Sequence, residues 1–229
     1  MPVRCVRCGE IGSGSGPCSC GFEVWAAIPR LSRRLDDLPV GRTPRLRTGE
    51  AGVDSALGGG FPVGSVCLVS GPRGSGKSRL TLRWASRWRC VLVATEMQPE
   101  LIAEVAPGAG IDPAGVHVLT ELPRTEALLV ELASTDARAL VIDSASRCPI
   151  RPEAVVHMMI GVCRKARVVG FAIVHESRRG KPRTRTDAEH DPDLVLRVSP
   201  SGKGFALVSI GKNRFAPTGS VRVTLGPPK

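Results

Sequence analysis

The chain reads as short apolar runs separated by amphipathic stretches. Runs at Val66–Val69, Cys90–Ala94, Val116–Leu119, Ala139–Ile142 and Val168–Val174 are brief and rich in β-branched residues, as strands buried on both faces tend to be. Between them, Arg79–Trp88, Glu126–Ser134 and Glu153–Lys165 read as helices. That alternation predicts an α/β fold with a mostly parallel central sheet covered by helices. Past Pro192 the texture changes. Leu194–Val198, Phe205–Ile210 and Val221–Leu225 read as strands with turn residues and no helix between them, so antiparallel strands are expected to close the sheet. Residues 25–47, with Pro29, Pro39, Pro44 and scattered arginines, read as a linker. It would join a small module at 1–24 to a main domain at 48–229.

The segment directly after the first apolar run carries the most specific chemistry. Gly71-Pro72-Arg73-Gly74-Ser75-Gly76-Lys77-Ser78 fits the spacing G-x-x-x-x-G-K-[ST]. A strand, a glycine-rich turn and a helix N-terminus together aim backbone N–H groups and the positive end of a helix dipole at one small volume. Such a loop cradles the phosphates of ATP: Lys77 would reach the β- and γ-phosphates and the Ser78 hydroxyl would hold Mg2+. Ala139–Ile142 then delivers Asp143 to the carboxyl edge of the sheet as a second magnesium-side group. Hydrolysis also needs a group to activate water, and the run ending at Thr95 presents Glu96, with Glu100 close behind. Position alone does not separate those two.

Charge and cysteine placement add partners. Thirty-two Lys plus Arg against 21 Asp plus Glu leave a formal charge of +11, which favours a polyanion such as nucleic acid. Aromatic residues make up 3% with no Tyr, so backbone contacts by arginine are expected rather than base stacking. Cys5-x-x-Cys8 and Cys18-x-Cys20 lie around a Gly/Ser-rich loop in a segment too short to bury much apolar surface. Four thiolates round one Zn2+ would organise it, disulfides being the alternative in an oxidising compartment. No apolar run approaches the roughly 20 residues of a membrane span, and the N-terminus lacks a long apolar signal segment. A cytoplasmic, membrane-free protein is expected.

Taken in order, these features resemble the RadA/Sms family, RecA-superfamily ATPases of DNA repair and recombination. The family begins with a four-cysteine zinc module, as at Cys5, Cys8, Cys18 and Cys20, and continues through a threonine-glycine turn similar to Arg47-Thr48-Gly49. Next comes a D-x-x-L-G-G-G-x-x-x-G stretch, matched by Asp54 to Gly64, and then the phosphate loop. The resemblance puts the catalytic glutamate at Glu96. Lys212-Asn213-Arg214-Phe215 matches four residues of a K-N-R-F-G signature, with Ala216 in place of the glycine. It implies that Lys212 and Arg214 act across a subunit boundary, on nucleotide bound next door, in a hexameric ring or a filament.

The resemblance further implies that His175 relays between the γ-phosphate and a DNA-binding loop. That loop would carry Arg178, Arg179, Lys181, Arg183 and Arg185, which otherwise read as a solvated basic loop. A similar E-H-x-x-D-x-x-L stretch follows, at Glu189, His190, Asp193 and Leu196. The family continues into a Lon-protease-like domain and this chain ends at Lys229, which implies a short form. The expected function is a DNA-dependent ATPase, a helicase or translocase on single-stranded or branched DNA, with the zinc module recruiting a repair or replication protein. A regulatory, nucleotide-gated protein of the KaiC-like kind, turning over ATP slowly and without DNA, is the alternative.

Overall fold

A computed structural model describes residues 3–8, 10–12, 15–21, 25–27, 43–176 and 190–226. The chain divides into two compact units, Met1–Arg42 and Thr43–Lys229. In the first, β1 (Val3–Cys5) is flanked by antiparallel β2 (Ile11–Gly12) and β3 (Trp25–Ala27). Cys5 and Cys18 are buried in this unit.

The second unit opens with β4 (Arg45–Leu46), α1 (Ala51–Ala56), β5 (Phe61–Pro62), β6 (Val66–Ser70) and α2 (Lys77–Ser86). It continues through β7 (Cys90–Ala94), α3 (Pro99–Ala109), β8 (Val116–Leu119), α4 (Thr125–Ser134) and β9 (Ala139–Asp143). The last elements are α5 (Pro152–Ala166), β10 (Val169–Ile173), β11 (Leu194–Pro200), β12 (Phe205–Asn213) and β13 (Gly219–Thr224). Eight strands form one sheet in the order β13-β12-β11-β6-β10-β9-β7-β8. Alternation along β6 explains its central place: Cys67 and Val69 enter the core under α1, α2 and α3, while Val66 and Leu68 enter the core under α4 and α5. Four of the few aromatics cluster on the α2 side, with Phe61 at 4.9 Å from Phe171 and 5.9 Å from Trp84 between ring centroids, and Trp88 stacked on Phe171. Among the described residues no helix is long and apolar enough to cross a membrane.

Three features add to the sequence reading. Residues 25–47 contribute a strand to each unit: β3 pairs with β1, and β4 pairs antiparallel with β5. The strands after Pro192 are antiparallel to one another, β12 to β11 and β13 to β12, and the first of them, β11, joins the sheet parallel to β6. The 20 residues between β10 and β11 allow that parallel return, which a short hairpin could not make. Helix α3 has no counterpart among the helices read from sequence, since Pro107 and Gly108 interrupt its pattern. Pro107 sits in its last turn, where the chain is already leaving the helix, and Gly110 in the left-handed conformation ends it.

Two local clusters explain motifs upstream of the loop. Asp54 Oδ1 accepts from the Thr48 backbone N–H at 2.7 Å and its hydroxyl at 2.8 Å, fixing the threonine-glycine turn onto the start of α1. Arg83, buried on α2, forms an ion pair with Glu50 and donates to the carbonyls of Thr224 at 2.9 Å and Gly226 at 2.7 Å. A buried cation left without partners is costly. Arg83→Ala should therefore lower the unfolding free energy by about 3 kcal/mol, measured by urea denaturation; a change below about 0.5 kcal/mol would mean the clamp contributes nothing.

Candidate active site

The parallel strands end on one line. Backbone register pairs Val69 with Ile173, Ile173 with Asp143, and Asp143 with Ala94. Gly71 lies two residues past Val69, Glu96 two past Ala94 and His175 two past Ile173, so all emerge beside Asp143 at the same edge.

The phosphate-loop segment turns sharply there. Gly71, at φ 151°, has no room for a side chain, because a Cβ would run into the Val198 carbonyl of β11. Gly76, at φ 90°, precedes α2, which starts at Lys77 with no side-chain cap. The first-turn N–H groups are thus left for an acceptor from outside the helix. The Lys77 ammonium donates to the carbonyls of Gly71 at 2.9 Å and Pro72 at 2.8 Å. Burial lowers its pKa, while Asp143, Glu176 and Glu96 nearby pull the other way. Ser75 Oγ is buried without a partner.

Asp143 shows the same unmet demand. Its Oδ1 is buried and takes no hydrogen bond; burial raises its pKa, and the adjacent Ser78 hydroxyl lowers it. A hydroxyl and an unsatisfied carboxylate oxygen side by side are the donor set that a hard divalent cation completes. The peptide joining Asp143 to Ser144 is cis, and the Thr95 hydroxyl ties Ser144 down from both sides, accepting from its N–H at 2.9 Å and donating to its carbonyl at 3.0 Å.

Glu96 faces the same space. Its Oε1 contacts His175 Nε2 at 2.7 Å and accepts from Arg147 Nε at 3.1 Å. Burial raises its pKa, but the bond and charge of His175, joined by Arg147, outweigh that and leave it below the usual carboxylate range. Glu96 is therefore ionised at neutral pH, with the other oxygen, Oε2, taking no bond from the described residues. Arg73, Gly74, Gly76, Lys77, Ser78, Glu96, Asp143 and His175 all line one cleft of about 660 Å³. Its far arm, between α2 and α3, is apolar, built from Leu82, Leu92, Ile102, Val105, Ala109 and Ile111. Glu100 does not line it.

The remaining sequence-predicted residues lie elsewhere. Lys212 and Asn213 complete β12 rather than a turn. Lys212 Nζ donates to the His190 carbonyl, and Arg214 reaches Asp193 Oδ1 and the His190 carbonyl, each at 3.4 Å. Phe215 is exposed, with the Arg45 guanidinium 5.8 Å from its ring centroid. Neither Lys212 nor Arg214 lines the cleft. The basic residues Arg178, Arg179, Lys181, Arg183 and Arg185 lie outside the described residues, as does Glu189.

In the first unit the thiols of Cys5, Cys8, Cys18 and Cys20 all lie within 4.8 Å of one another, none of them in a disulfide. Sulfur–sulfur distances of 3.7 Å for Cys5–Cys20 and 3.4 Å for Cys8–Cys18 fit the edges of a tetrahedron, about 3.8 Å for a Zn–S bond of about 2.3 Å. The Cys8 backbone N–H lowers the Cys5 pKa to about 7, against the opposing effect of burial.

Residues 46–139 match the family described as ATPase: KaiC. The DNA repair protein RadA of Pseudomonas aeruginosa is 26% identical over 93% of this chain and 51% of its own length. RadA of Aquifex aeolicus is 28% identical over 96% and 53%. Over nearly its whole length the chain is similar to the RadA proteins. It spans about half the length of the RadA relatives it matches. The crystal structure of the RadB recombinase aligns at a TM-score of 0.58 and 22% identity, covering 78% of this chain and 95% of that one, and shows the shared fold.

Sequence patterns of the RadA kind do not point to Arg147 or to Glu176. The latter is almost fully buried, paired with Arg197 through two bonds at 2.7 and 3.0 Å. Glu176 had the same signal as Glu96, a carboxylate just past a buried strand, but it follows the histidine rather than the strand end. Because the loop is pressed against β11, Gly71→Ala should cost roughly 1–3 kcal/mol in denaturant unfolding and weaken nucleotide binding in the same protein. Unchanged stability would mean that the close approach to Val198 is relieved by a small shift.

Proposed function

We propose that this RadA relative is a Mg2+-dependent ATPase acting on DNA in repair or recombination. The observation that carries the reading is the convergence of Lys77, Ser78, Asp143, Glu96 and His175 on one cleft at the end of the parallel sheet. Magnesium, held by Ser78 and Asp143, would supply positive charge against the β- and γ-phosphates. Asp143 Oδ1 would gain the partner it lacks. Lys77 would exchange the carbonyls of Gly71 and Pro72 for phosphate oxygens, a better match for a buried ammonium. Loop and first-turn N–H groups fix the phosphate chain where it lies.

Glu96 acts as general base. It accepts a proton from water as the water oxygen bonds to the γ-phosphorus; the bond to the β–γ bridging oxygen breaks, and ADP leaves with that electron pair. His175, bonded to Glu96, keeps the carboxylate in its working orientation. It also stands two residues past β10, where the segment with Arg178, Arg179, Lys181, Arg183 and Arg185 begins, so contact of those cations with a DNA backbone would be felt at Glu96. Lys212 and Arg214, which stand apart from their own cleft, serve the cleft of a neighbouring copy in a homo-oligomer and neutralise charge as it develops on the phosphate.

Lys77→Ala should abolish nucleotide binding, and Glu96→Gln should lower kcat by about 10²–10⁴-fold with binding retained. Arg214→Ala should be inactive alone and regain part of its rate when mixed with Glu96→Gln subunits, since one cleft in the mixture is then intact. Absence of any rescue counts against the shared site. The match to the KaiC-type ATPase family over 46–139 favours a second reading, a slow nucleotide-gated regulator. ATPase rates with and without single-stranded DNA at two salt concentrations separate the two: stimulation that fades with salt belongs to the DNA-acting enzyme, and a flat, low rate to the regulator.

The four cysteines of the first unit would hold a structural zinc ion that organises it, and the folded unit would present a surface to a protein partner. Zinc in such sites contributes on the order of 10 kcal/mol at neutral pH. The reduced protein should bind one zinc per chain by elemental analysis, and Cys18→Ser should lose it together with the first unit's structure. Zinc retained at full occupancy by Cys18→Ser would rule out this ligand set.

A further inference from the structure

Arg147 is a cation of the cleft wall that this chemistry does not use. Arg147 stands four residues past Asp143, on the single turn Ala145–Arg147 that follows β9. Its side chain is 58% exposed, yet it forms part of the cleft wall together with Gly74, Lys77, Ser78 and Asp143. Its bond to Glu96 Oε1 uses Nε alone. The terminal nitrogens Nη1 and Nη2 donate no hydrogen bond to the described residues. A guanidinium holds five N–H groups in one rigid plane, so an edge committed to a carboxylate leaves a second edge aimed at another acceptor. The acceptor that best matches such an edge is a phosphate with two free oxygens.

Resting on the reading of the cleft as a triphosphate site, we propose that Arg147 is a further catalytic residue. It acts on its own chain's cleft and bridges Glu96 to the terminal phosphate of the nucleotide. The bridge gives the guanidinium two roles that no simple ion pair has. It grips a group that ATP has and ADP lacks. It also fixes the Glu96 carboxylate through Oε1, which directs Oε2 toward the space beside that phosphate. His175 holds the same oxygen from the other side, so the base is fixed at Oε1 by two donors and free at Oε2. Arg147 would thus supply in cis a cation distinct from Lys212 and Arg214, which serve a neighbour.

The test measures ATP and ADP affinities of the full chain with fluorescent analogues, in a Glu96→Gln background where hydrolysis is suppressed and the amide oxygen still receives Arg147. Adding Arg147→Ala should weaken ATP binding about tenfold, the order expected for a hydrogen bond to a charged group, and leave ADP binding within about twofold. Arg147→Lys keeps the charge but has no second edge, so it should fall between the two. Equal losses for ATP and ADP, or no loss, would overturn the bridge. A second readout uses mixed subunits. Arg147→Ala in the otherwise natural chain should lower kcat and gain nothing from Glu96→Gln subunits, because no cleft in the mixture holds both groups; rescue would overturn action in cis. A natural chain that binds neither nucleotide would instead sink the triphosphate reading itself.

Discussion

Parallel register is the constraint on which the site depends. Strands β6, β10, β9 and β7 are bonded so that Val69, Ile173, Asp143 and Ala94 fall on one line. Each strand is buried on both faces, so a slip of one residue would turn every inward side chain to the wrong core. Burial of two cores therefore fixes the height at which each chain segment leaves the sheet. The polar residues that follow, Gly71, Glu96 and His175, meet Asp143 as a result. Apolar packing does the positioning, and the charged groups inherit it.

What gathers at that edge is held in tension rather than at rest. Lys77 leans on carbonyls of its own loop, Asp143 keeps a buried oxygen without a partner, and α2 begins without a cap. Each is a modest cost, and each would be relieved by the proposed ligand, a metal-bound polyphosphate. Preorganisation of this sort leaves little rearrangement to be made when the ligand arrives.

Much of this was legible in the sequence, for physical reasons. The glycine-rich loop is written in consecutive residues, and the strands that carry Glu96 and Asp143 are uniform apolar runs that cannot be hidden in a helix of their length. Three features were not legible. The parallel direction of β11 depends on a long return that a strand pattern does not encode. Helix α3 was masked by Pro107, which is harmless only because it falls in the last turn. Arg147 gave no signal, and Glu176 only that of a carboxylate past a buried strand, because their meaning arises from partners brought together across the sheet, Arg147 with Glu96 from 51 positions away. The segment 25–47 that reads as a connector carries a strand at each end, Trp25–Ala27 and Arg45–Leu46.

The Arg83 clamp has a bearing on the order in which the protein is built. Its two carbonyl partners lie 141 and 143 positions further along the chain, and β6 finds its neighbours only in β10 and β11. Contacts of such long range form late, because the loop between them must close first. During synthesis the phosphate loop is among the first parts of the second unit to emerge, yet the clamp on α2 is completed only when the final strand has been made. A chain interrupted before Thr224 would carry every residue of the loop and still leave Arg83 without its two carbonyl partners.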